Sequence, residues 1–469
     1  MDDLYNKLSE YSSSDMYPFH MPGHKRTPHP KLPFEIDVTE IEGFDNLHYP
    51  KGVLKSFSNI LVNGSTGGIL AGIRTLTDFG DRVLIARNCH RSVYNAVELF
   101  GLRAEFIMPA PAQDGGKELN IYGAVKPSQI AEKLDEYPDI KLVVITSPTY
   151  EGICSDVEKI SELCRSHDIR LFVDEAHGAH PALRDVGSRR RPGIFFSPSA
   201  IDLGADMSVI SLHKTMPALT QTAMINTSIK DGGILAKLKE NLSVFQTSSP
   251  SYVLLASAQH ALEVMDSPKA ATDYCDLLEG FLNKVRRFRY LKILFNSEHI
   301  NTCHDCGKLL ISTSETNLSG YQLAEKLRKS YHIETEMSAP DYVLALSTVC
   351  DTKEGFDRLF DALKDIDANI GCADKVVDPY LIKNIPERRF IPFEKYRYKT
   401  KRIPLSEAQG HISMETVMAY PPGIPCIVPG EVFSGEILAY IERIKSLGGT
   451  ILYRSAEEYP SDHINIAEL

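Results

Sequence analysis

No run of about 18 consecutive apolar residues occurs in this 469-residue chain, which excludes an ordinary transmembrane helix. The opening residues Met1 to Tyr5 carry two acids and lack the basic and apolar stretches of a secretory leader, so a cytoplasmic protein is expected. A surplus of positive charge is also missing. The net charge of -11 is spread along the chain, which argues against nucleic acid as the main partner and suits a cationic small molecule. The nine cysteines are scattered, as reduced thiols would be. Cys303 and Cys306 form the one CxxC pair, and without a second pair at zinc-ribbon spacing no metal site is expected. Internal repeats and low-complexity tracts are absent too.

What remains is ordinary globular composition, 43% hydrophobic and 24% charged, in a chain long enough for several domains. Residues 1–55 read as an arm: turn-rich His20 to Lys25 and Pro28, Pro30 and Pro33 cannot build a core, so the arm should lie across another surface. Over 56–270 short apolar runs ending at Ala86, Met108, Thr146, Asp174 and Ser211 alternate with helical stretches at 91–100, 128–137 and 156–167. That alternation predicts an α/β domain with a mainly parallel sheet. Residues 271–370 carry amphipathic helices and two strands, a smaller α+β domain, and 371–469 form a C-terminal domain with a basic run from Lys395 to Arg402.

Two strand ends carry the chemistry. An apolar strand ends in Asp174-Glu175-Ala176-His177, and a later one in Ser211-Leu212-His213-Lys214. A lysine able to form a Schiff base and an aspartate able to hold a pyridinium nitrogen protonated suit an enzyme using pyridoxal 5'-phosphate (PLP), whose ring is an electron sink. Asn63 to Gly68, just before helix-compatible Ile69 to Leu76, fits a phosphate at a helix N-terminus; taken alone it fits an ordinary capped loop as well. His90 at another strand end suits stacking on a cofactor ring or a helix cap, and Ser147 to Gly152 offers the Thr149 hydroxyl or a plain turn.

In matching order, His20 to Lys25, the Asn63 loop, Asn88 to Ser92, Ser147 to Gly152, Asp174 to His177, Ser211 to Lys214 and Tyr420 to Pro425 resemble the bacterial ornithine/lysine/arginine decarboxylase family. The resemblance runs from about residue 17 to 431. It implies an aspartate-aminotransferase-like large domain with a mainly parallel seven-stranded sheet and PLP as cofactor. It further implies that Lys214 carries the Schiff base, Asp174 pairs with the ring nitrogen, and His90 stacks on the ring. Ser65, Thr66, Gly67, Ser211 and His213 would hold the phosphate, Thr149 would lie near the ring, and Ala176 would pack beneath it with His177 nearby. Thr247 and Ser248 resemble a segment that reaches the cofactor from a partner subunit, implying a homodimer with the active site at the subunit interface. Larger members carry an N-terminal wing that builds decamers, and an aromatic residue at the position of His177. This chain begins almost at the linker arm, so it is closer to the short, wingless branch.

The implied reaction is decarboxylation of arginine, lysine or ornithine to the corresponding amine, and Glu431 and Glu151 are candidates for the substrate's distal cation. The same Asp174 and Lys214 would also serve an aminotransferase or a carbon–sulfur lyase, and a silent regulatory homologue would keep the fold.

Overall fold

A computed structural model describes residues 15, 17–19, 57–178, 183, 193–296, 303–372, 379–420, 423–453 and 462–468. Most of the arm, with His20 to Lys25, lies outside the described residues, as do Pro421 and Pro422 of the second turn-rich motif. The arm's Tyr17–Phe19 pairs in parallel with Ile333–Thr335, and Phe19 is fully buried there.

Seven strands form one sheet: β1 (Phe57–Leu61), β2 (Arg82–Ala86), β3 (Arg103–Ile107), β4 (Ile140–Thr146), β5 (Arg170–Asp174), β6 (Met207–Ser211) and β7 (Ala223–Thr227). Their spatial order is β1-β7-β6-β5-β4-β2-β3. Pairs from β6 to β3 are parallel, while β7 runs antiparallel to both β6 and β1. The seven-stranded, mainly parallel sheet expected above is therefore present. All five strands read from apolar runs are there; β1 and β7 were not among them. The polar Asn226 and Thr227 break the apolar run of β7, and the sheet buries them by pairing: Ser58 Oγ donates to Asn226 Oδ1 at 2.7 Å.

Helix α1 (Gly64–Leu76) lies on this sheet closely enough that its glycines are needed. A Cβ on Gly72 would sit 2.4 Å from the Phe172 ring of β5, and one on Gly68 would sit 2.5 Å from Leu61 Cδ1. Leu84, Val143, Phe172 and Val209 belong to the core that covers the sheet. A second core joins Ile210, Leu212 and Met216 to helices Tyr252–Met265 and Pro268–Val285 and to the strands Lys308–Ser312 and Tyr342–Leu346. A third gathers Phe433 and, from helix Gly435–Ser446, Ile437 and Ile441 with Ile464 and Ile466. No helix among the described residues is long and apolar enough to cross a membrane.

Parallel strands leave their carboxyl ends on one edge, where ligands of such sheets bind. Ala86, Thr146, Asp174 and Ser211 all end there.

Candidate active site

Beyond those strand ends lies a cavity of about 590 Å³. The chain following β2 gives it Asn88 and His90, β4 and its loop give Thr146, Thr149 and Tyr150, and β5 gives Asp174, Ala176 and His177. Lys214 enters from the single helical turn Leu212–Thr215 after β6, and Ser65 from the first turn of α1. Farther along the chain, Arg328, Glu334, Thr335 and Glu336 join the wall, as do Tyr420 and Ile424. Thus Ser65, His90, Thr149, Asp174, Ala176, His177 and Lys214, far apart in sequence, meet in one space.

Asp174 is 2% exposed, and its Oδ1 accepts the Ala176 N–H at 3.0 Å. Burial pushes its carboxyl pKa up; the Lys214 cation and that N–H pull it back. Burial likewise lowers the Lys214 ammonium, while the charges of Asp174 and Glu336 oppose the shift. Lys214 Nζ lies 2.9 Å from His177 Nε2. His177 is held well below the ordinary imidazole value by burial and by the cations Lys214 and Lys308, so its ring is neutral. As an ammonium Lys214 donates to Nε2, which leaves the ring proton on Nδ1. That Nδ1 is buried without a partner among the described residues, and so is Asn88 Oδ1. Buried polar atoms left open in a cavity suit a polar ligand.

His90 caps helix Arg91–Leu99, with Nδ1 accepting the Ser92 N–H at 3.3 Å, and it also lines the cavity. Burial, with Lys214 and Arg91 nearby, pushes it down to about 3, which leaves a neutral ring.

At the phosphate-type segment the helix begins at Gly64 rather than at Ile69, so Ser65, Thr66 and Gly67 occupy its first turn. Their backbone N–H groups have no carbonyl one turn earlier to accept them. Ser211 Oγ donates to Ser65 Oγ at 2.9 Å, which places both hydroxyls at this helix end. The glycines here also permit close packing, since a Cβ on Gly67 would meet Gln246 Nε2 at 2.5 Å. His213 donates from Nδ1 to the Thr222 carbonyl at 2.9 Å, and neither it nor Thr66, Gly67 or Ser211 lines the cavity. Thr247 and Ser248 are exposed beyond helix Gly232–Phe245 and do not reach the cavity of their own chain.

The two acidic candidates lie elsewhere. Glu431 is fully buried, paired to Arg87 Nη2 at 2.8 Å and bound by the Val428 N–H at 2.9 Å. Arg87 in turn lies over Phe106, 4.9 Å from its centroid. Glu431 is thus taken up by a domain-joining ion pair and does not face the cavity. Glu151 lines a separate, smaller cavity. Two carboxylates the sequence did not flag line the cavity: Glu334, paired with Arg328 at 3.2 Å, and Glu336, beside the strand Met337–Ser338, which accepts a hydrogen bond from the Tyr150 hydroxyl. No motif pointed to either of them. The CxxC segment is structural in placement: Cys306 is buried, Cys303 exposed, His304 donates to the Glu151 carbonyl at 2.8 Å, and Asp305 pairs with fully buried Lys308 at 2.9 Å. Lys308 also donates to the His177 carbonyl at 2.8 Å, fixing the backbone of that histidine.

Residues 2–306 match the family model "Orn/Lys/Arg decarboxylase, major domain", and residues 391–450 match the C-terminal domain of the same family. An arginine decarboxylase of Bacillus subtilis is 32% identical, covering 93% of this chain and 92% of its own length. Among solved structures, the constitutive lysine decarboxylase of Escherichia coli superposes with a TM-score of 0.71 at 16% identity, over 89% of this chain and 71% of that one. Ureidoglycine–glyoxylate aminotransferase of Bacillus subtilis gives 0.52 at 12% identity, over 68% of this chain and 82% of that one. These two share the fold, an aminotransferase-type α/β architecture. The strand-end lysine and aspartate, the seven-stranded sheet that brings them together and the match over most of the chain lead to one conclusion: this protein belongs to the Orn/Lys/Arg decarboxylase family and is an amino-acid decarboxylase.

Proposed function

We propose that this protein removes the α-carboxylate of arginine, using PLP, and releases agmatine and carbon dioxide, with lysine and ornithine as the competing substrates. The convergence of Lys214, Asp174 and His90 on one cavity carries the reading. Arginine is placed first because relatives matched over nearly their whole length include arginine decarboxylases.

The open polar atoms of Asn88 and His177 and the free first-turn N–H groups of α1 fit the cofactor. Lys214 would bind it covalently, Asp174 would meet its ring nitrogen, and His90 and Ala176 would flank the ring. Thr149 would sit near it. Ser65, Thr66 and Gly67 with Ser211 and His213 would hold the phosphate, joined by Thr247 and Ser248 of the second copy in a homodimer. Bound there, PLP supplies the electron sink for the pair left behind when carbon dioxide departs.

The protein's own groups do the rest. Asp174, its pKa pushed up by burial and pulled back by Lys214 and the Ala176 N–H that fixes its Oδ1, is a carboxyl group preorganised to meet a cationic ring nitrogen. Lys214 Nζ and the neutral His177, whose Nε2 lies 2.9 Å away, form a short path for returning a proton to the substrate's α-carbon once the lysine is freed by the substrate. Glu336, oriented by the Tyr150 hydroxyl and contributed by a different domain from Lys214, is the acceptor for the substrate's distal cation, which would be costly to bury unpaired.

The deciding experiment incubates the purified protein with PLP and each basic amino acid, collecting carbon dioxide and identifying the amine. Lys214→Ala should abolish both the release and the borohydride-stable cofactor adduct in the peptide holding residue 214. Keto acid in place of carbon dioxide would make the protein an aminotransferase and overturn the reading.

A further inference from the structure

Next to the first cavity, and sharing Tyr420 and Ile424 with it, lies a second one of about 210 Å³. Its walls come from the hairpin strand Lys117–Tyr122, the small domain and the C-terminal domain, so it sits where three units meet. Six of the chain's 21 tyrosines line it: Tyr122, Tyr321, Tyr342, Tyr380, Tyr420 and Tyr440. The one carboxylate among the described wall residues is Glu151, buried to 8% exposure, whose two oxygens accept from Tyr342 at 3.2 Å and from Thr149 at 3.3 Å. Directly behind the wall is Asp341, bound by Tyr380 at 2.6 Å and by Asn120 at 3.0 Å. No Lys, Arg or His is among the described residues lining this cavity.

Tyrosine rings attract a cation by their quadrupole, and although burial pushes the Glu151 carboxyl up, a cation beside it favours its ionised form. A wall without any cation has nothing to meet a carboxylate brought in by the ligand. The first cavity differs in offering both signs, with Lys214 and Arg328 beside Asp174, Glu334 and Glu336, as a ligand carrying both a carboxylate and cations requires. The two spaces therefore sort amino acid from amine. A basic amino acid carries an α-carboxylate that the second cavity would repel; once that group has left, the same molecule is a small dication that it suits.

We propose that the second cavity is a non-catalytic binding site for a small organic dication of the reaction-product class, a diamine or guanidino-amine. The product identity rests on the decarboxylase reading given above; the binding itself does not. Amine held here sits against Tyr420 and Ile424, which also bound the catalytic space, so its occupancy is placed to report product concentration to the active site.

Calorimetric titration of the PLP-loaded protein tests it. Agmatine and cadaverine should each bind at two sites per chain, one displaced by a competitor of the catalytic cavity and one not. Arginine, titrated into the turnover-dead Lys214→Ala protein, should bind once. Glu151→Gln should weaken the second amine site at least tenfold, and Tyr321→Ala, a half-buried position that can be changed without emptying a core, should weaken it as well. A single amine per chain, fully displaced by that competitor, overturns the proposal, as does a second site that both variants leave unchanged. Two-site amine binding by a protein that releases no carbon dioxide from any basic amino acid would sink the catalytic reading and leave this site standing.

Discussion

Glu175 shows how far a residue can differ from its neighbour in the chain. Asp174 faces the cavity, whereas Glu175 points the other way, 1% exposed, its Oε1 accepting the Ala200 N–H at 2.7 Å. Burial pushes its carboxyl up to about 8, with the charge of Asp174 adding to the shift, so it is protonated at neutral pH. Its folded pKa lies above the unfolded one, so the folded state binds the extra proton. The stability this contributes is complete below the ordinary carboxylate range and is lost as pH rises through about 8. Glu175→Gln keeps a neutral side chain of the same shape. Melting temperatures measured across this window should fall less steeply in the variant, and an unchanged slope would show that Glu175 is ionised. His90 has the opposite sign: its folded value of about 3 makes its contribution complete above the ordinary histidine value and lost on acidification.

At the scale of elements, the contact of α1 with the sheet links packing to chemistry. Gly72 and Phe172 touch across the interface, and Phe172 stands two residues before Asp174 on β5. Gly72→Ala would place a methyl group 2.4 Å from a ring held on both sides by core, a contact no side chain can absorb without backbone movement. Overpacking of this kind typically costs about 1–3 kcal/mol. We expect Gly72→Ala to unfold at lower denaturant and to bind PLP less tightly, since both the first turn of α1 and the end of β5 must shift. Denaturant titration and cofactor titration check the two halves separately. Loss of stability with cofactor affinity intact would mean that the shift does not reach the strand end. The parallel strands were legible because buried strands read as apolar runs, and Asp174 and Ser211 were legible as the polar residues that end them. The start of α1 was not, because Gly-Ser-Thr-Gly-Gly has poor helix propensity and becomes helical by packing on β1 and β6.

For the whole molecule, Arg87 and Glu431 tie the sheet to the C-terminal domain. They are 344 residues apart in sequence and 2.8 Å apart in space, both nearly or fully buried. Removing one partner strands the other charge, which typically costs about 3–5 kcal/mol. Glu431→Ala should therefore lower the melting temperature strongly, and if activity survives it should leave the KM for arginine within a few-fold of the parent. A large rise in KM without loss of stability would restore Glu431 as a substrate ligand. Glu336→Gln is the natural companion, expected to raise KM with little change in melting.

The amino-acid sequence alone determined the chemistry at the deep end of the site, because β-strands place their terminal residues at a sheet edge whatever surrounds them. Lys214, Asp174 and His90 need only that local rule, and the family pattern rides on it. Which acids line the first cavity was decided by tertiary structure. Glu431, Glu151 and Glu336 are alike as letters, and only the packing of three units against one another gives the first a guanidinium, the second a cage of tyrosines and the third a place in the wall of the catalytic cavity.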